Sequence, residues 1–238
     1  MTEGGSRRRA EIHHQHRDVT GGWLRPSVFG AMDGLVSNFA LIAGMAGGTS
    51  DTRLISLAGI AGLAAGAFSM AGGEYVSVAS QRELALAEID VERTELARNP
   101  EEEERELAER YESRGVEPEI AAEVARQISR DPEQALVAHT RAELGVDPTD
   151  LPSPRVAAVS SFLSFAMGAL LPVLPYLLGV TSLWVSAIVS GVALFGAGAL
   201  VSKVTARRWW YTGLRQLVVG MVAAALTFGL GSLIGTHV

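Results

Sequence analysis

The chain has 238 residues, 48% of them hydrophobic, a mean hydropathy of +0.23, a formal net charge of −6 and no cysteine. The missing cysteine excludes disulfides, zinc knuckles and thiol catalysis, and no nucleophile–base pair, phosphate loop or metal-hydrolase motif marks an enzyme. Charge is unevenly shared: residues 81–151 hold 20 of the 26 acidic side chains against nine arginines, a net of −11, and the rest of the chain is +5.

Residues 1–25 are polar, with Arg7, Arg8, Arg9, Arg17 and Arg25 and the histidines His13, His14 and His16. They are expected to form a disordered basic arm lying near anionic lipid. The arm lacks the apolar core of a signal peptide, so the first apolar run is expected to be a retained span. That run covers about Ser27 to Gly48 and carries Asp33, roughly 9 Å below the membrane surface at 1.5 Å rise per residue. A carboxylate at that depth must face protein, water or a cation.

The second span, about Leu54 to Val78, returns after a short loop, so the two helices are expected to be antiparallel neighbours. In it Ala58, Gly62, Gly66, Met70 and Glu74 recur every four residues along one face, and small residues let another backbone come close. Counting back from the far end puts Glu74 roughly 6 Å and Met70 roughly 12 Å deep. Asp33 lies between them in depth, which suggests an Asp–Met–Glu site built from two helices.

No Gly or Pro interrupts the chain between Glu74 and Pro100, so the second helix is expected to run on out of the membrane for about 25 residues, roughly 35 Å. Asn99-Pro100, Pro118 and Asp131-Pro132 read as helix starts, with Gly115 and Gly145 as stops. Three amphipathic helices therefore follow the extended one. Glu101 and Glu102 complement a helix dipole, and Glu109, Glu112, Glu119 and Glu123 alternate with arginines on a solvated face. Glu92, Glu95, Glu103 and Glu106 stand apart through their E-x2-E-x7-E-x2-E spacing, and His139 and Glu143 form a further i, i+4 pair. Oxygen ligands with one imidazole suit a divalent first-row metal, and a surface charge cluster is the alternative.

The chain re-enters the membrane after LPSPRVAAV. Span three is about Val156 to Leu178, with Pro172 and Pro175 expected to kink or break it. Spans four and five are about Ser182 to Val204 and Leu214 to Gly235. The arm, Arg155 and the Lys203, Arg207, Arg208, Arg215 loop fall on one side of an odd five-span arrangement, so the N-terminus and the acidic segment are expected to be cytosolic. The fold class is thus an all-α membrane protein of five transmembrane helices, with an acidic three- to four-helix cytosolic domain between spans two and three. The divisions are the arm at 1–25, spans one and two in 26–80, the acidic metal-binding domain at 81–150 and spans three to five in 151–238. Arginine supplies 19 of the 20 basic residues, a bias of GC-rich genomes that favours a prokaryotic plasma (inner) membrane.

DGLVSNFALIAG in span one, AGAFSMAGGEYVSVASQ in span two and LPSPRVAAVSSFLSFAMGALLP at span three, with five spans and an acidic helical insert, resemble the vacuolar iron transporter family, and the chain reads as a prokaryotic-type member. The resemblance implies a homodimer that moves Fe²⁺, and often Mn²⁺, out of the cytosol in exchange for protons. It assigns Asp33 and Met70 to the translocation path, with Glu74 as the neighbouring carboxylate. It also assigns Glu92, Glu95, Glu103, Glu106 and Glu143 to a cytosolic metal-binding insert. Just before Glu143, where plant members have two methionines, this chain has His139 and Thr140, a harder ligand set.

The mechanism expected is competition between metal and protons for carboxylates in a site that faces each side in turn. No permanent cofactor and no nucleic-acid partner are expected; the bound ion is the transported Fe²⁺ or Mn²⁺. Two other classes fit the residues less well. One is a membrane-tethered metal buffer or sensor without transport, and the other an interaction scaffold with charged helices. Asp33 inside the membrane argues against both.

Overall fold

The computed structural model describes residues 22–205 and 207–235. Most of the basic arm, with its three histidines, and the terminal His237-Val238 lie outside the described residues. All regular structure among the described residues is helical: α1 (Leu24–Gly48), α2 (Thr52–Arg98), α3 (Pro100–Ser113), α4 (Pro118–Ile128), α5 (Pro132–Glu143), α6 (Pro154–Leu177), α7 (Leu183–Thr205) and α8 (Trp209–Gly235). Five of them, α1, α2, α6, α7 and α8, are long and apolar enough to cross a membrane. Large apolar side chains such as Phe68, Trp184 and Leu226 point outward, as a lipid-facing surface requires.

Within the five-helix bundle α1 is central, touching α2, α6, α7 and α8, and α6 lies against α1, α2 and α7. Three small cores hold it together. Leu35, Phe39 and Ala43 of α1 meet Leu194 and Ala224; Ile42 and Ile55 meet Val173 and Tyr176; and Ala67 meets Phe165 and Ala169. The α1–α6 crossing is a backbone approach, because a Cβ on Gly34 would stand 2.9 Å from the Ala169 nitrogen and one on Gly168 would stand 3.1 Å from the Leu35 nitrogen. Polar side chains pin the seams: Asn38 Nδ2 donates to the Ala169 carbonyl at 2.6 Å, and Thr227 Oγ1 donates to the Ala40 carbonyl at 2.6 Å. Without water to compete, such interhelical bonds fix register.

One expectation holds and one changes. Helices α1 and α2 are adjacent as the short loop requires, while each meets α6 more extensively, and the Phe165 ring of α6 packs against Gly66. Of the kink or break expected at Pro172 and Pro175, the break is not there, and α6 is continuous through both. The Ser186 hydroxyl of α7 donates to the Pro172 carbonyl at 2.7 Å, which ties α7 to α6 beside the prolines.

Helix α2 runs 47 residues without interruption, about 70 Å at 1.5 Å per residue. Its second half joins α3, α4 and α5 around Leu107, Ala108 and Ala125, with Tyr111, Ile128 and Ala138 against them. Each of the three short helices has a proline in its first turn, where the missing N–H is not needed. Asp131 caps α5 by accepting from the Glu133 and Gln134 amides. The Asn99 side chain does not cap α3, and its Nδ2 instead donates back to Glu95 Oε2 at 3.0 Å. Gly115 and Gly145 end α3 and α5 with φ of 91° and 66°, a conformation other residues adopt at a cost.

Candidate metal centres

Two groups of potential ligands stand at different levels of α2. The first is inside the membrane-spanning bundle, where Asp33 and Ser37 of α1 and Ser69 and Met70 of α2 line one cavity of about 270 Å³. Gly62 and Gly66 contribute wall without side chain, and Asn38, Leu41 and Phe165 complete the lining. Four-residue spacing puts Asp33 and Ser37 on one face of α1, and the Ser37 hydroxyl donates to the Asp33 carbonyl at 2.5 Å. A carboxylate, hydroxyls and a thioether around one space offer hard and soft donors together, a mixture first-row divalent ions accept. Glu74, one turn beyond Met70, is partly buried and does not line this cavity.

The second group is in the acidic domain. Glu92 of α2, Glu103 of α3, and His139 and Glu143 of α5 each bring one ligand atom within 4.8 Å of the others. His139 Nδ1 lies 3.1 Å from Glu92 Oε1, 3.5 Å from Glu103 Oε2 and 3.5 Å from Glu143 Oε1. Each of the three helices also buries an apolar side chain, Ile89 of α2, Leu107 of α3 and Leu136 of α5. The imidazole is fully buried, and neither its nitrogens nor Glu92 Oε1 makes a hydrogen bond. Polar atoms that close, that buried and yet unpaired are the arrangement a central cation would satisfy.

Electrostatics agree with that geometry. Burial, with Glu143, Glu103 and Glu106 adding repulsion and Arg110 opposing it, pushes the Glu92 carboxyl up to about 7. Burial also raises Glu103; His139 offsets part of this, and Glu106, Glu143 and Glu95 add to it. Carboxylates under mutual repulsion gain from a shared divalent ion.

The other two spaced glutamates are nearby but outside the four. Glu95 accepts from Asn99, as described, and Glu106 accepts from Arg110 Nη2 at 2.8 Å. The same Nη2 is 3.1 Å from Glu143 Oε1, so Arg110 links the cluster to Glu106. Its Nε is buried without a partner. Sequence reasoning did not single out Arg110; the available signal was its position four residues after Glu106.

A family model described as the VIT family matches residues 24–232. A vacuolar iron transporter of Acanthamoeba castellanii is 38% identical over 231 residues, covering 92% of this chain and 82% of that protein. The vacuolar iron transporters 1 of Oryza sativa and Arabidopsis thaliana are 31% and 30% identical, covering 94% and 93% of this chain and 91% and 90% of their own lengths. These relatives are an amoeba protein and two plant proteins, and they do not bear out the prokaryotic reading of the arginine bias.

Proposed function

The chain belongs to the VIT family, a family of metal-ion transporters rather than enzymes, and from that premise we propose that it moves Fe²⁺, and also Mn²⁺, out of the cytosol in exchange for protons. The observation that carries the reading is the shared cavity of Asp33 and Met70, which puts a carboxylate and a thioether from two different helices around one space within the membrane-spanning segments. Such a residue in a span is expensive unless it meets an ion or a proton. Proton and cation compete for the Asp33 carboxylate, and alternating access turns that competition into antiport.

The acidic domain, on this reading cytosolic, collects the ion at Glu92, Glu103, His139 and Glu143, with Glu95 and Glu106 as flanking carboxylates, and Glu74 is the carboxylate next to Met70 on the way to the cavity. The domain's placement rests on basic residues at the span ends, Arg155 in the first turn of α6, Lys203 in the last turn of α7, Arg207 and Arg208 between α7 and α8, and Arg215 in the second turn of α8, which the positive-inside rule assigns to the same side. On this reading the transporter works as a homodimer, because five spans are few to enclose a path and the Asp33–Met70 cavity needs a partner to close it.

The test is Fe²⁺ and Mn²⁺ uptake into proteoliposomes with and without a proton gradient, comparing wild type with Asp33→Ala. Gradient-dependent flux that disappears in the variant supports the antiporter. Intact, metal-binding protein without flux would replace it with a membrane-tethered buffer.

A further inference from the structure

We propose that the side-chain oxygen of Asn38 is a ligand of the cation in the transmembrane cavity, an inference that rests on reading that cavity as the ion's path. Asn38 is only 2% exposed and lines the cavity with Asp33 and Met70. Its Nδ2 donates to the Ala169 carbonyl on α6 at 2.6 Å. A backbone carbonyl only accepts, so the amide cannot be turned around, and Oδ1 must face away from α6. That oxygen has no hydrogen-bond partner.

A tie between α1 and α6 would explain the nitrogen but leaves the oxygen a buried acceptor with nothing to accept from, which native structures rarely tolerate. Gly62 on α2 leaves room beside that oxygen, since a Cβ there would stand 2.8 Å from Oδ1 and press on the Leu41 methyl. The fold thus holds a fixed, buried, neutral carbonyl-type oxygen in the lining that also carries a carboxylate and a thioether. Such oxygens bind divalent cations readily. Being neutral, the amide contributes affinity without adding a proton-binding group, so it stays available to the ion whether or not Asp33 is protonated.

The experiment uses the full chain in detergent with Glu92, Glu103 and Glu143 changed to Gln to silence the acidic cluster, and titrates Co²⁺ while recording its visible ligand-field spectrum. Asn38→Ala should weaken binding roughly tenfold or more, as loss of a direct ligand should cost at least what loss of a supporting contact does, and should alter the spectrum. Asn38→Asp, which restores an oxygen, should recover affinity with a new pH dependence. Gly62→Ala provides a check that keeps the amide in the chain: its Cβ presses on Oδ1 and on the Leu41 methyl, the end of a flexible side chain, so the oxygen is crowded rather than removed. It should reproduce the loss, and it decides the matter if Asn38→Ala fails to fold. Unchanged affinity and spectrum in Asn38→Ala or, if that variant does not fold, in Gly62→Ala, with binding abolished by Asp33→Ala, would overturn the role of Asn38 and leave the cavity standing. Unchanged binding in Asp33→Ala as well would overturn the cavity itself.

Discussion

His139 Nδ1 and Glu92 Oε1 lie 3.1 Å apart in the acidic domain, and neither makes a hydrogen bond. The pair is poised for a cation and is uncomfortable without one, so replacement of His139 should have opposite effects in the two states. His139→Leu removes two buried nitrogens that make no hydrogen bond at the cost of the Nδ1 contact with three carboxylates, and should stabilise the metal-free protein by about 1 kcal/mol. It should also lose most of the stabilisation that added Mn²⁺ gives the wild type. Thermal melting with and without Mn²⁺ reads both, and a variant that melts lower without metal and keeps its full metal response would rule out the site.

The Glu92 carboxyl, raised to about 7 mainly by burial, gives metal binding a pH window. With the folded pKa above the unfolded one, this group favours the metal-free fold below about pH 4.5, and the benefit is lost as pH rises through about 7. Metal needs the deprotonated form, so affinity should climb by up to about tenfold per pH unit between pH 5 and 7 and then flatten. Calorimetric titration of Mn²⁺ across this range should show that curve, and Glu92→Gln should flatten it.

Arg110 spans Glu106 and Glu143 and supplies positive charge that an incoming ion would otherwise bring. Arg110→Ala should therefore bind Mn²⁺ more tightly, by about tenfold at low salt, with the gain shrinking as salt screens it. The metal-free variant should melt lower, since two carboxylates lose their partner. Weaker binding at every salt concentration would show that Arg110 positions Glu143 rather than competing with metal.

Gly66 lies under the Phe165 ring, and a Cβ there would overlap the ring's edge. Gly66→Ala should cost about 1–3 kcal/mol through overpacking and reduce Fe²⁺ flux by disturbing the cavity wall, while leaving the acidic cluster's affinity unchanged. Flux and melting temperature measured on one preparation separate this from a general loss of fold.

Arg82 Nη1 reaches the carbonyls of Leu151 and Pro152 at 3.3 and 3.4 Å, tying the emerging half of α2 to the segment that leads into α6. Arg82→Ala should raise the KM for Fe²⁺ roughly threefold, through a lower local ion concentration at the bundle, with kcat and the acidic cluster's own affinity near wild type. A fall in kcat alone would assign Arg82 to the transport step instead.

The helices and their stops were legible because Pro, Gly and Asp sit where caps and turns demand them, as at Asp131-Pro132 and Gly145. Glu92 and Glu103 were legible as a pair from spacing, but their partners were not separable by it. Residues three apart on a helix differ by about 60° around its axis, so when Glu92 and Glu103 aim at His139, Glu95 and Glu106 are turned aside. The Asn38 role was hidden because an amide within an apolar run is read by default as an interhelical tie. Only the orientation fixed by Ala169 separates its two ends. The α6 insertion was equally hidden, since a short α1–α2 loop specifies adjacency but not that Phe165 packs against their shared seam.

Met70 and Glu92 lie on the same unbroken helix, 22 residues apart, or about 33 Å. Such a rod is a lever: a tilt of about 5° at the cavity sweeps its outer end through about 3 Å. Because α3, α4 and α5 touch, among the described residues, no helix but α2 and one another, rocking of the bundle would carry the whole outer cluster as one body, with no flexible joint in between to absorb the motion.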